Sequence, residues 1–255
     1  MARALRNKPL IEAFMEVHFD PTSAVASYPI WVGVLYEHLK DRFPHTVTLP
    51  ASTLPTQMAP ELARLQFRPG EDGWPLIQVG PAVVTLNFNE GYRWSEFRAM
   101  AARLFTELSV GHGSDSMPIS SLALSYQNVI HLDLQERLRE VLERKLNTRF
   151  DLPETILNDA RLTPERSGFN YFLSRSVGDP AGDASIRFAS AEHKKVPAII
   201  CELRFVSTNA NVLASLDSRN AWLVGAHELL EAWFFAVIQG ELEREFEPYD
   251  DAESA

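Results

Sequence analysis

The feature that most constrains the fold of this 255-residue chain is an order of segments that occurs twice. Each half begins with alternating apolar and polar residues, typical of a half-buried strand, followed by apolar residues at helical spacing. An irregular connection comes next. Three short alternating segments then predict a meander, and a long amphipathic helix closes each half. The chain is therefore predicted to form two similar units.

In the first half, residues 11–19 alternate and Asp20-Pro21 ends the strand. Pro29 suits a first helical turn and predicts a helix that closes at Phe43-Pro44. A proline-rich connection spans residues 44–60. The remaining predicted elements are strands at 64–68, 76–79 and 83–88, and a helix from about 94 to 108.

The second half follows the same order. Residues 122–132 alternate as a strand, and a helix is indicated by Leu134, Leu138, Val141 and Leu142. After a longer connection, the predicted elements are strands at 169–177, 185–190 and 198–206, and a helix over about 216–239.

Short hairpin connections indicate antiparallel pairing, so the predicted class is α+β. We expect two tandem β-α-β-β-β-α repeats, residues 1–113 and 114–240, followed by an acidic tail, 241–255. A pseudo-two-fold would relate the repeats, with helices on one sheet face and the first strands near the junction. The order of elements is similar to that of the TATA-box-binding protein and other helix-grip folds, which implies nothing about function.

Composition limits the classes of function. The net charge is −10, and acids dominate residues 241–255, where Arg244 is the only cation. Duplex-binding proteins usually carry a basic stripe, so duplex nucleic acid is not an expected partner. A single cysteine excludes an intrachain disulfide and favours a reducing compartment. Without a signal-like segment or a long apolar run, we expect a cytoplasmic protein that does not cross a membrane.

Cysteine and histidine residues give two candidate sites. Cys201 alternates with apolar neighbours in a predicted strand, so a packed core thiol is favoured over a nucleophile served by His227. His18 and His131 occupy equivalent positions in the two first strands, and Glu16 lies two residues before His18. Two histidines and a carboxylate can bind zinc, although solvated histidines are the simpler interpretation. The sequence contains no recognisable cofactor fingerprint, so it leaves the cofactor unknown.

Polar and aromatic residues give the remaining candidates for ligand or partner binding. Arg166, Arg175, Arg187 and Arg204 come from neighbouring elements of the second meander, where alternate positions can gather on one face. Cross-strand pairing with Glu192 and Glu202 is the alternative. In the first half, Asn87, Asn89 and Tyr92 lie near a strand end. Aromatic residues that could stack bases lack a cationic groove and mostly have core spacing.

Several segments together resemble one protein family. They are 7–13 (NKPLIEA), 78–81 (QVGP), 86–87 (LN), 92–97 (YRWSEF), 124–130 (LSYQNVI) and 227–235 (HELLEAWFF). The resemblance covers nearly the whole chain and is to a sporadically distributed bacterial family of about this length, whose function is unassigned. Its scattered occurrence implies an association with mobile, defence or toxin–antitoxin loci.

We therefore expect a non-enzymatic binding or regulatory protein of the bacterial cytoplasm. It would capture a partner protein, peptide or small ligand on its sheet face or in a cleft between repeats. One alternative is an enzyme with a metal held by His18, Glu16 and His131 at the repeat junction. The other is a binder of single-stranded nucleic acid. Assembly into a homo-oligomer is compatible with each of these functions.

Overall fold

A computed structural model describes residues 3–89, 91–110, 118–132, 138–149, 153, 155 and 168–250. These residues form an α+β fold with a nine-stranded antiparallel sheet, a separate two-stranded sheet and several helices. The predicted class is confirmed. Leu134, which helped to predict a helix, and Arg166 lie outside the described residues.

The strands are β1 (Arg3–Leu5), β2 (Leu10–Phe19), β3 (His45–Thr48), β4 (Leu65–Arg68), β5 (Leu76–Gly80), β6 (Val83–Phe88), β7 (Ile119–His131), β8 (Asn170–Val177), β9 (Gly182–His193), β10 (Val196–Ser207) and β11 (Pro248–Asp250). The helices are α1 (Pro21–Leu39), α2 (Trp94–Val110), α3 (Leu138–Lys145), α4 (Ala210–Leu213), α5 (Leu216–Ile238) and α6 (Glu241–Glu245), with a 3-10 helix at Pro50–Thr53.

The nine strands lie in the order β3-β4-β5-β6-β2-β7-β10-β9-β8. The central pair, β2 and β7, is antiparallel, with Met15 opposite Leu124. On either side, β6 pairs with β2 and β10 pairs with β7. The two predicted first strands are therefore neighbours at the centre of one continuous sheet.

Alternation along β2 separates the sheet into two faces. Ala13, Met15 and Val17 are fully buried on the side that we call the helix face. Rings from the sheet contact α1, α2 and α5 on this side, including the pairs Phe19–Trp31, Phe88–Phe97 and Phe205–Trp222. We call the opposite side the open face; on β2 it carries Glu12, Phe14, Glu16 and His18, all partly exposed.

Helix α1 begins eight residues earlier than the predicted first turn at Pro29. Asp20 caps it by accepting a hydrogen bond of 2.8 Å from the backbone N–H of Thr22, and Pro21 occupies the first turn. Pro29 lies inside the helix. Ile30, the residue after it, is 73% exposed and does not belong to the buried side of the helix.

Two predicted irregular segments have regular structure. The connection at 44–60 contains β3, which is exposed along its length, and the 3-10 helix. Residues 241–250, placed in the acidic tail, form α6 and β11, and β11 pairs with β1. Leu242 is 1% exposed and Arg144 pairs with Glu241 at 3.3 Å, so apolar and ionic contacts both hold α6 against the fold.

Helix α5 is the one described helix that is long and apolar enough, by length and composition, to cross a membrane. Its buried residues include Trp222, Leu223, Ala226 and Leu230. These residues pack into the core on the helix face, whereas Trp233, Phe234 and Phe235 are only partly buried. One such helix is weak evidence for a membrane span, because a core helix can pass the same test. A capping box formed by Ser215 and Ser218 fixes its first turn.

Candidate functional site

A series of hydrogen-bonded polar side chains, two buried and one partly buried, joins the sheet to α5 and to the turn before α2 on the helix face. The hydroxyl oxygens of Tyr92 and Tyr126 are 3.0 Å apart, and the Tyr126 hydroxyl is 2.9 Å from Nδ1 of His227. Trp94 stacks on the His227 ring, with centroids 3.7 Å apart. We call Tyr92, Tyr126 and His227 the tyrosine–histidine chain. It connects the turn before α2, the centre of β7 and the middle of α5.

Local structure places each member of this chain. Tyr92 closes a turn in which its backbone N–H donates to the carbonyl oxygen of Asn89 at 2.9 Å. The ammonium group of Lys8 donates to the carbonyl oxygen of Tyr92 at 2.8 Å, which ties the segment before β2 to the same turn. Tyr126 lies opposite Ala13 on β2 and Leu203 on β10. Since both of these residues belong to the helix face, the Tyr126 side chain projects from β7 toward that face.

Burial keeps the chain neutral. It raises the pKa of both tyrosines well above the ordinary value and lowers the pKa of His227 to about 4. At neutral pH the two hydroxyls and the imidazole are therefore uncharged, and the two hydrogen bonds among them use two of their three protons. A neutral histidine hydrogen-bonded to a high-pKa phenol has little driving force for proton transfer, so the arrangement serves to position the two helices.

The open face carries a second polar network, built across three strands. Arg204 on β10 donates to a carboxylate oxygen of Glu16 on β2, and it donates to Oγ of Ser125 on β7 at 2.8 Å. Nε2 of His18 lies 3.7 Å from the same carboxylate. Burial alone would raise the pKa of Glu16, but the nearby His18 side chain and the charge and hydrogen bond of Arg204 lower it overall.

Arg187 and Arg204 do gather on one face, as the sequence predicted, but Arg175 does not join them. Arg187 lies opposite Glu202 and contacts its carboxylate at 3.7 Å, while its Nε donates to Asn170 at 2.9 Å. Arg175 lies opposite Ala184 on the helix-face side of β8. The odd-numbered residues of β8 belong to the helix face, whereas Arg187 and Arg204 lie on the open face, so the sheet separates Arg175 from these two arginines.

Asn87, Asn89 and Tyr92 lie close in sequence but are not brought into one site. Asn87 is on the open face, where it donates to Glu12 at 2.8 Å and accepts a hydrogen bond from Thr85. Asn89 stabilises the following turn by accepting from the backbone N–H of Gly91 at 3.2 Å. Tyr92 points to the helix face. The strand end divides their side chains between the two sides of the sheet.

His18, Glu16 and His131 are not assembled into a metal site. His18 lies opposite Ser121 near one end of β7, and His131 lies at the other end, roughly 30 Å away along the strand. His18 and His131 each lie near the C-terminal end of their strand. Because β2 and β7 are antiparallel, these two ends lie at opposite ends of the strand pair, so the prediction that they meet was wrong. Within the described part of the chain, no group of at least three His, Cys, Asp or Glu side chains is close enough to hold an ion.

Cys201 has the surroundings of a packed core residue. It is fully buried, and burial followed by the charge of Glu202 raises the pKa of its thiol to about 12. His227 bonds to Tyr126. The thiol is therefore protonated at neutral pH and is a poor nucleophile.

Sequence reasoning identified Tyr92 but missed Tyr126, Lys8 and the role of His227. The available signal was the resemblance, because all four residues belong to the segments that carry it and the fold brings those segments together. No model of a known protein family matches the chain, and no curated protein matches it.

Proposed function

We propose that this chain is a non-enzymatic binding protein that captures an extended segment of a partner protein on the open face. The observation that carries the proposal is Phe172 on β8, a large aromatic side chain that is 63% exposed. It lies opposite Arg187 on the same face. Aromatic residues and arginine supply most of the binding energy in protein interfaces, so this pair is the expected anchor.

The chemistry of the open face favours a polypeptide over a nucleic acid. On the described strands, Arg204 and Arg187 of this face pair with Glu16 and Glu202, and Arg68 donates to Gln66, so these cations are engaged within the protein and are not arranged as a groove for phosphates. Asn87, Thr85 and Ser125 are buried and already hydrogen-bonded to Glu12, Asn87 and Arg204, so contacts with a partner are left to the exposed side chains of this face, chiefly Phe172 and Arg187.

Strand β8 offers a further contact for an extended segment. In the described sheet, β8 is a terminal strand that pairs only with β9. Its eight residues contain no proline, so its outer main-chain groups are suited to the addition of a partner strand. A segment added there would lie beside Phe172.

The proposal includes a duplicated architecture. Reading outward from the central β2–β7 pair, the neighbours are β6, β5 and β4 on one side and β10, β9 and β8 on the other. This order supports two repeats related by a pseudo-two-fold, with a topology similar to that of the TATA-box-binding protein. Superposition of the halves in an experimental structure tests the idea, and a mismatch in strand direction would refute it.

The compartment that fits the proposal is the bacterial cytoplasm, which is supported by a single, buried cysteine. No catalytic role is assigned to the tyrosine–histidine chain, because Tyr126 and His227 are buried and the pKa shifts keep all three groups neutral.

Site-specific photo-crosslinking in the native host tests the function. A photoreactive residue in place of Phe172 is expected to capture one identifiable protein, whereas the same residue in place of Ile30, exposed on α1, is not. Arg187→Glu should reduce the adduct at position 172. Equal adducts at both positions, or no specific adduct at 172, would contradict the proposal.

A further inference from the structure

Two histidines meet at the end of the open face remote from His18. Nε2 of His131 on β7 lies 3.1 Å from Nδ1 of His193 on β9. The two strands are not neighbours, because β10 lies between them. His131 reaches across at the level of Ala198, whose small side chain leaves room for the rings to meet. We propose that His131 and His193 form an open binding site for a divalent transition-metal ion, such as Zn²⁺, Ni²⁺ or Cu²⁺.

The spacing of the nitrogen atoms carries the inference. Imidazole nitrogens bind zinc at about 2.0–2.1 Å, so two of them on one ion lie about 2.9–3.4 Å apart for bond angles between square and tetrahedral. The observed 3.1 Å falls inside this range. The ring centroids are 5.3 Å apart, close to the greatest separation that the 3.1 Å contact allows, so the two nitrogens point toward each other. Both rings must turn for their lone pairs to converge on one ion.

The proton balance of the pair permits metal binding. In the metal-free chain, one ring nitrogen donates the hydrogen bond and the other accepts it. A metal ion needs both lone pairs, so the donating ring must move its proton to its other nitrogen. The change is a tautomer shift within one imidazole, with no net loss of a proton from neutral histidines. Protons compete for the same nitrogens, so affinity falls as the pH is lowered.

The surroundings indicate an open site and not a structural one. In the described residues no third ligand of the His, Cys, Asp or Glu type completes the set, so water or an added ligand would fill the remaining positions. His131 is exposed and His193 is partly exposed, so solvent reaches both rings. Lys194 and Lys195 follow His193 in the hairpin and oppose a cation electrostatically. The affinity for an ion must therefore come from the bonds to the two imidazoles. Mg²⁺ prefers oxygen ligands, so it should bind poorly at this site.

Equilibrium dialysis of the full chain against Zn²⁺, Ni²⁺ or Mg²⁺ alone tests the proposal. We expect Zn²⁺ and Ni²⁺ to bind at one ion per chain. His131→Gln and His193→Gln should each weaken binding by more than about tenfold, since each removes one ligand. His45→Gln, on exposed β3 at the other edge of the sheet, and His18→Gln should leave it unchanged. Circular dichroism of each variant checks that the fold is retained.

A second measurement does not depend on variants. The electron paramagnetic resonance spectrum of the chain with one equivalent of Cu²⁺ should show coupling to two imidazole nitrogens. Coupling to one nitrogen, binding that survives His131→Gln or His193→Gln, a loss in His18→Gln, or no binding at millimolar metal would each overturn the proposal. Partner capture at Phe172 involves other residues, so the photo-crosslinking test remains independent of whether the chain binds metal.

Discussion

The two faces of the nine-stranded sheet use the same strands for different purposes. On the helix face, side chains such as Leu203 and Phe205 are buried beneath helices, and the tyrosine–histidine chain supplies a hydrogen-bonded crossing. On the open face, Glu202 and Arg204 extend sideways and pair with charges on other strands. Residues that are neighbours in sequence thus belong to different environments. Stability should depend on one set of alternating positions and recognition on the other.

The largest difference between the faces should come from removing an aromatic ring. Phe205→Ala deletes a fully buried ring that packs edge-on against Trp222, and the free energy of unfolding should fall by about 3–5 kcal/mol. Phe172→Ala removes an exposed ring and should change it by less than about 0.5 kcal/mol. Urea unfolding followed by circular dichroism measures both. Equal losses would show that the open face is not exposed in solution.

Acid should weaken the helix face through His227. Its ordinary pKa of 6.5 applies to the unfolded chain and about 4 to the folded chain, so between these values the unfolded chain binds the extra proton. Stability attributable to neutral His227 is complete above pH 6.5 and is lost toward pH 4, by up to about 3 kcal/mol. Unfolding measured from pH 7.5 to 4 should show this slope. His227→Gln should flatten it, while His45→Gln should not; an unchanged slope in His227→Gln would refute the assignment.

Removing one hydroxyl should have a smaller effect. Tyr126→Phe keeps the ring but leaves Tyr92 and His227 without their shared partner, which should cost about 1–3 kcal/mol. Tyr249→Phe, at an exposed position of β11, is the matched control and should be near neutral. Thermal unfolding of both variants provides the comparison. If Tyr126→Phe leaves the free energy of unfolding unchanged, the tyrosine–histidine chain contributes little to stability.

The smallest predicted effect belongs to the ionic network of the open face. Glu16→Gln removes the carboxylate from Arg204 while Ser125 still accepts a hydrogen bond, so the loss should be about 1 kcal/mol. Because the pKa of Glu16 is lowered on folding, its contribution is present above the ordinary value of 4.5 and is lost as the pH falls. Denaturation of the wild type and Glu16→Gln at pH 7 and pH 3 should therefore converge at the lower pH. A constant difference would contradict the assigned charge.

Local sequence patterns predicted much of the fold, but they could not predict which residues distant in sequence come into contact. Alternation identified β2 and most of the meander strands, because burial of one face imposes a period of two. The exposed strand β3 has no such alternation of buried and exposed residues, and α1 was shortened because Pro29 was taken as its first turn instead of Pro21.

The candidate sites show the same limit more sharply. Tyr126 and His227 are separated by 101 positions, and His131 and His193 by 62, so their contacts depend on strand order and helix docking. Sequence symmetry instead paired His131 with His18, which the antiparallel centre holds apart. Arg187 and Arg204 were grouped correctly because they lie on neighbouring strands, where alternation of side chains along each strand is sufficient to predict which residues share a face.

The most direct test of the two-faced sheet uses two adjacent positions on β10. Cys201, the single cysteine, is buried on the helix face, and position 202 is on the open face. In native protein, Cys201 should react with a thiol reagent only as fast as the chain unfolds, because it is buried and its pKa is raised to about 12. A thiol introduced by Glu202→Cys in a Cys201→Ala chain should react at the rate of an accessible thiol. Similar rates at the two positions under native conditions would contradict the account.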